Sequence, residues 1–260
     1  MHIVEIVPGE KTSYTTVLKT YDLLTRIGKE PIILKKDVWG FVGWAPETYM
    51  AEASWIVYRK EATAEEVDAT MRYKLGFPMG PLEVADLAGL DVMVEIGKVI
   101  EWIKARPEYA RFLRGPIVPP SPLCESYVRE GKLEMKSGEG YYKYPGPGVY
   151  KRVEIPREKA VLDPMRVLAT SINYGAFLIR DCVSTQGDID KMAKLGLGYP
   201  RGLFEYADEF GIDKVVEMLR ALKENYGDPW YEPDPLLVSM VEEGRLGLRT
   251  RKGFYEYIPR

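Results

Sequence analysis

GFPMGPLEVADLAGLD (Gly76–Asp91) and GYPRGLFEYADEFGID (Gly198–Asp213) carry the same residue at eight of sixteen positions, 122 residues apart. The same spacing relates Asp68 in EEVDATM to Asp190 in GDIDKMA. Further on, PLCESYVREGKLEMKSGEGYYKY (Pro122–Tyr144) matches PLLVSMVEEGRLGLRTRKGFYEY (Pro235–Tyr257) at a spacing of 113. Three anchors in one order read as a duplication, and the change of spacing as a deletion in the second copy. Two copies are too few for a solenoid. They predict two sibling domains of about 100 residues each, joined near the Pro/Gly-rich YPGPGVYKRVEIP (Tyr144–Pro156).

Inside each copy the pattern is helical. Pro46 suits a first helical turn, and Tyr49, Met50, Ala53, Ile56 and Val57 then recur on one face. Thr63 and Glu66 form a capping box for a helix that closes at Gly76. Asp91 is read as the cap of a longer helix striped by Met93, Ile96, Ile100 and Ile103 and ended before Pro107. Ser121–Pro122 opens another, stopped by Gly131. In the second copy Asp163–Pro164 opens a helix with Leu168, Ile172, Ala176 and Ile179 at helical spacing. Each copy ends in an aromatic segment, YYKY or FYEY, expected to fold over the helices. Glu83 and Asp86, mirrored by Glu205 and Asp208, are read as capping and helix–helix hydrogen bonding, because two sites for one chemistry make little sense. Pro78, Gly80, Pro200 and Gly202 are read as turn geometry.

The first 36 residues differ. IVEIV is β-branched and bounded by Pro8–Gly9, which predicts a strand. Ser13 caps a helix carrying Val17, Tyr21, Leu24 and Ile27 and ended by Gly28, and EPIILKK is a second strand. Strand–helix–strand over some 35 residues is a βαβ unit, which belongs to a larger parallel sheet. Alone it leaves open sheet edges, so an expectation follows that the rest of an α/β domain is missing at the front.

Composition narrows the classes. Net charge is −3, from 36 basic and 39 acidic residues with no long block of either sign, which argues against a nucleic-acid partner. No apolar run reaches the roughly 18 residues of a membrane span, so no membrane partner is expected. Two cysteines, Cys124 and Cys182, are too few for a disulfide framework and point to a reducing cytoplasm. With one histidine, His2, no Cys/His zinc cluster can form and no metal is expected. One glutamine and two asparagines beside 29% charged residues fit a thermophile.

VEIVPGEKTS, IGKEPIILKKDVWGFVG, LGFPMGPLEVADLAGLD with its second-copy counterpart, and KSGEGYY/RTRKGFY together resemble the 3-hydroxyacyl-CoA dehydrogenases. The similarity covers nearly the whole chain, from the end of that family's NAD-binding domain through two C-terminal helical domains. It is most similar to the two-repeat forms of archaeal and multifunctional β-oxidation proteins. The resemblance implies a mainly α fold: two tandem helical domains of the 6-phosphogluconate dehydrogenase C-terminal type, paired as an intrachain pseudo-dimer after a βαβ fragment of a Rossmann domain. The expected boundaries are 1–36, 37–150 and 151–260.

The resemblance also implies chemistry. The family oxidises the 3-hydroxyl of an acyl-CoA by hydride transfer to NAD⁺, with a histidine as general base and a glutamate that orients it. The glutamate falls in a Val-Glu dipeptide and maps to Glu5. The histidine lies in an HxxNP motif that this sequence does not contain. His2 is three residues before Glu5 on a strand, so the two side chains should face opposite ways; His2 is not taken as the base. The GxGxxG phosphate loop is absent too, and neither GEG at Gly138 nor LGLG at Gly196 follows a strand and opens a helix. The family's PGFxxNR segment reads WGFVGWA here, which puts Trp44 in place of an asparagine that contacts substrate, and Ala45 in place of the arginine. Tryptophan donates a hydrogen bond but accepts none.

Two readings stand for each residue. Glu5 is the orienting carboxylate or a solvated one. Trp44 is a substrate contact or ordinary packing at a helix start. For the whole chain, the first reading is the C-terminal substrate-binding and dimerisation part of a dehydrogenase. It would meet acyl-CoA, work with NAD only through a missing or separate nucleotide-binding subunit, hold no cofactor alone, and self-associate. The alternative is a non-catalytic assembly or acyl-CoA-binding module from that family.

Overall fold

The computed structural model describes residues 2–35, 44–109 and 114–258, and of Trp44 and Pro46 the backbone only. The described residues are mainly helical. Strand β1 (Ile3–Ile6), helix α1 (Tyr14–Arg26) and strand β2 (Glu30–Ile33) form the βαβ unit, with β1 and β2 parallel and Glu5 opposite Ile32. Ser13 caps α1 by accepting from Thr16 N–H, and Gly28 takes the left-handed turn that returns the chain to β2.

Among the described residues ten helices follow: α2 (Trp44–Tyr58), α3 (Ala64–Lys74), α4 (Pro81–Ala88), α5 (Leu90–Lys104), α6 (Pro122–Arg129), α7 (Pro164–Arg180), α8 (Gln186–Lys191, running into a π turn at Met192–Gly196), α9 (Leu203–Phe210), α10 (Ile212–Tyr226) and α11 (Pro235–Glu242). The chain divides into two compact units. One takes Met1–Glu47, Arg111–Ile117 and Leu168–Arg260; the other takes Thr48–Ala110 and Val118–Val167. The second unit's core is Tyr49, Ala53, Ile56, Val67, Met71, Leu82 and Leu90; the first unit's is Ile3, Ile32, Leu168, Ile172, Phe204, Leu219 and Tyr231.

Local signals act as expected at Thr63, whose hydroxyl accepts from Glu66 N–H while Glu66 accepts from Thr63 N–H, and at Asp163, which accepts from Met165 N–H. Asp91 does not cap α5. Gly89 is the N-cap, and at φ +103° it joins α4 to α5 through a single residue. Asp91 stands in the first turn, where a negative charge meets the positive helix end. Of the expected α5 stripe, Ile100 and Ile103 are buried while Met93 and Ile96 are half-buried. Among the described residues no helix is long and apolar enough to cross a membrane, and no group of three His, Cys, Asp or Glu side chains could hold a metal ion.

Candidate active site

The duplicated acidic residues sit in two matching knots. In one unit Asp68 of α3 accepts from Leu82 and Glu83 N–H, both at 2.9 Å, and from the Tyr142 hydroxyl at 2.9 Å. Asp86 of α4 accepts from Tyr141 N–H (2.7 Å), Tyr142 N–H (2.9 Å) and Tyr144 hydroxyl (3.1 Å). In the other unit Asp190 accepts from Phe204 N–H and Tyr255 hydroxyl, both at 2.8 Å. Asp208 accepts from Phe254 N–H, Tyr255 N–H and Tyr257 hydroxyl.

Glu83 and Glu205 close the turn before their helices by accepting from Gly80 and Gly202 N–H. Capping is thus as expected; Asp68 and Asp190 tie helix to helix and also hold a tyrosine hydroxyl of the aromatic tail, whereas Asp86 and Asp208 tie helix to tail alone. The turn glycines are forced: a Cβ on Gly80 would lie 2.2 Å from Asp68 Cγ, and one on Gly202 2.2 Å from Asp190 Cγ. Burial pushes Asp68 up to about 8 and both Asp86 and Asp190 up to about 6, against the pull of the N–H and hydroxyl donors. Every oxygen of these carboxylates is engaged by a structural donor, so none is placed to turn over substrate.

Glu5 lies in the middle of β1 and is half-buried. His2 is exposed and precedes the strand; its carbonyl accepts from Glu30 N–H at 2.8 Å. Trp44 opens α2, but its side chain, with the preceding Trp39–Gly43 segment, lies outside the described residues. Ala45 is buried. Sequence reasoning passed over Glu47, in the first turn of α2 and three residues beyond Trp44. Burial chiefly, and then the negative charge of Glu5, push the Glu47 carboxyl up to about 7. The structure therefore brings Glu5 and Glu47 into electrostatic contact within one unit. The signal in the sequence was faint, since a glutamate in a first helical turn is ordinarily a solvated partner of the helix end.

The glycine-rich stretches do not fit a dinucleotide. Gly138 ends a 3₁₀ turn, and a Cβ on Gly140 would lie 2.1 Å from Asp86 Oδ1. Gly196 ends the π turn after α8. Both stretches serve packing, and neither joins a strand to a helix N-terminus.

The family model described as "3-hydroxyacyl-CoA dehydrogenase, C-terminal domain" matches residues 45–144 and 165–257. The chain belongs to the 3-hydroxyacyl-CoA dehydrogenase family. That enzyme's NAD binding domain model matches residues 1–38, the βαβ unit that carries Glu5. The fatty acid oxidation complex subunit alpha of Vibrio vulnificus is 31% identical over 258 residues, covering 94% of this chain and 35% of that protein. The same subunit of Shewanella sp. (strain MR-4) is 26% identical over 268 residues, with the same coverage. The chain thus spans about a third of these relatives. Two solved structures share the fold. The 3-hydroxybutyryl-CoA dehydrogenase of Escherichia coli superposes with a TM-score of 0.76 at 21% identity, covering 94% of this chain and 68% of that one. The dehydrogenase part of multifunctional enzyme 1 of C. elegans gives 0.59 at 20% identity, covering 92% and 56%.

Proposed function

We propose that this chain is the substrate-binding and dimerisation part of an NAD-dependent 3-hydroxyacyl-CoA dehydrogenase of fatty-acid β-oxidation, acting in the cytoplasm of a thermophile. In this reading residues 1–36 are the end of a nucleotide-binding domain, 37–150 the first helical repeat and 151–260 the second. The observation that carries it is Glu5. It sits on the strand matched by the NAD binding domain, and its negative charge acts on Glu47 at the start of the first helix matched by the C-terminal domain. Glu5 orients the base that a separate or missing nucleotide domain supplies, and Trp44 takes the place of the family's substrate-contacting asparagine. NAD⁺, held by that other domain, accepts the hydride; this chain's residues bind and orient the acyl-CoA. Self-association completes the assembly.

The test is titration and turnover with the purified chain. It should neither bind NAD⁺ measurably nor oxidise 3-hydroxybutyryl-CoA; turnover by this polypeptide alone defeats the reading. Trp44 in place of the family's asparagine favours a second reading, a non-catalytic assembly or acyl-CoA-binding module. The DNA just upstream of Met1 separates the two. A segment encoding GxGxxG and HxxNP, in frame or adjacent, supports the enzyme, and its absence supports the module.

A further inference from the structure

Helices α5 and α10 are fifteen-residue counterparts in the two copies, each starting after a glycine of positive φ. Their outer faces differ in kind. On α10 the face carries Lys214, Ala221 and Glu224, all exposed, with Met218 half-buried. This is how the surface is built when it meets water. At the corresponding places α5 carries Val92 (49% exposed), Val99 (41%), Trp102 (48%) and half-buried Ile96. Val92, Ile96 and Val99 recur at spacings of four and three, the repeat of a helix–helix seam. Leu87 and Tyr109, also exposed, extend the patch at its two ends. An exposed apolar strip that one copy keeps, and that its sibling breaks with a charge at two of the four places and a smaller side chain at a third, is a surface made to be covered.

The charges on the strip say by what. If two α5 helices lie antiparallel about a two-fold axis at Val99, Val99 meets Val99, Trp102 lies over the partner's Ile96, and Tyr109 reaches the partner's Leu87. Arg106, stacked 4.0 Å over the Trp102 ring, then comes alongside the partner's Glu95. Each contact is made twice, as an isologous interface requires. The strip matches itself in spacing, and Glu95, which pairs with Lys98 on its own helix at 2.5 Å, adds an acidic group for the partner's Arg106.

We propose that α5 pairs antiparallel about Val99 with the same helix of a second copy of this chain. This names the surface for the self-association in the functional reading above and rests on it only in that respect. The test uses the full chain in sedimentation or light scattering at micromolar concentration, where a dimer is expected. Val92→Lys with Trp102→Glu, the residues α10 carries, should raise the dimer dissociation constant at least tenfold and leave the circular dichroism and melting temperature unchanged. Glu95→Arg and Arg106→Glu should each weaken the dimer, and the two together should restore it. In a Cys182→Ser background Val99→Cys should give a disulfide-linked dimer. Val92→Cys should not, since antiparallel pairing about Val99 sets its two copies about 21 Å apart. A wild-type chain that stays monomeric overturns both this surface and self-association. A dimer that survives Val92→Lys/Trp102→Glu overturns the surface alone. The NAD⁺ and turnover measurements are independent of either result.

Discussion

Asp190 and Asp208 stand on consecutive helices, α8 and α9, of one unit, both buried, yet changing each to asparagine should have different consequences. Asp208 offers one oxygen to Phe254 N–H at 2.8 Å and the other to Tyr255 N–H at 3.0 Å. An amide has a single acceptor, so Asp208→Asn turns an NH₂ towards a backbone N–H and strands that donor. The loss is about 1–3 kcal/mol for the stranded donor, with more lost from the weakened Tyr257 contact. Asp190 offers one oxygen to Phe204 N–H and the other to the Tyr255 hydroxyl. A hydroxyl rotates to accept as readily as it donates, so asparagine fits. Asparagine also removes a charge that burial disfavours: the rise from 3.8 to about 6 corresponds to roughly 3 kcal/mol once Asp190 is ionised. The weakened charge-assisted bonds take back about 1 kcal/mol each. At pH 8 Asp190→Asn should therefore match or slightly exceed the wild type, while Asp208→Asn loses about 2–3 kcal/mol, or roughly 4–12 °C in melting temperature for a chain of this size. The sign with pH follows from linkage. A folded value above the unfolded one means that wild-type stability falls as pH rises from about 4 through 6. The Asp190→Asn chain lacks that fall, so its advantage vanishes near pH 4. Thermal melts of both variants from pH 4 to 8 decide the matter. Equal losses at pH 8, or an Asp190→Asn difference indifferent to pH, would refute the reasoning.

Two further outcomes can be stated. Arg166 is buried and joins Glu52, fully buried, to Glu61, at 2.8 and 2.9 Å from the Glu61 oxygens; Arg166→Met should lower stability by about 3–5 kcal/mol in urea denaturation, because it takes from Glu52 its cationic partner, and a loss under about 1 kcal/mol would contradict this. The Glu47 carboxyl, raised to about 7, makes wild-type stability fall as pH climbs from about 4.5 to 7, so Glu47→Gln should flatten that slope in melts across the same range, and an unchanged slope would show that Glu47 is not buried against Glu5.

What could be read ahead of the structure was whatever is settled within a few residues. The Ser13, Thr63 and Asp163 caps, the left-handed Gly28 and the β-branched run Ile3–Ile6 each obey a rule that spans one turn or one pleat. The anchors of the repeat were visible as anchors, but their partners were not. Asp86 meets Tyr141 and Tyr142 across 55 and 56 residues, and Arg166 meets Glu52 across 114. Glu47 was overlooked because nothing in its own helix announces its burial or the negative charge of Glu5 that acts on it. Gly89 displaced Asp91 from the cap for a related reason: Leu90 N–H is taken by Leu133 carbonyl at 2.8 Å, a contact made by a distant loop. Resemblance supplied the role proposed for Glu5, which no periodicity could have offered.

The repeat itself constrains where chemistry can lie. Both copies keep the aspartate–tyrosine knot, with different electrostatic surroundings. Asp68 stands higher than Asp190, at about 8 against about 6: desolvation and the neighbouring glutamate raise both, and only at Asp190 does Lys194 oppose them. A catalytic carboxylate could not drift by that much between siblings and serve the same step, whereas a carboxylate whose task is to hold N–H and hydroxyl donors needs only its two oxygens in place. A site for one reaction should lie among features present once. β1, Glu5 and the electrostatic contact with Glu47 meet that condition, and the knots do not. If the two units were instead equivalent sites, substitution of Glu5 would leave half of any activity the assembled enzyme has. With the site at β1, Glu5→Gln should abolish nearly all of it while substrate binding and the melting temperature change little.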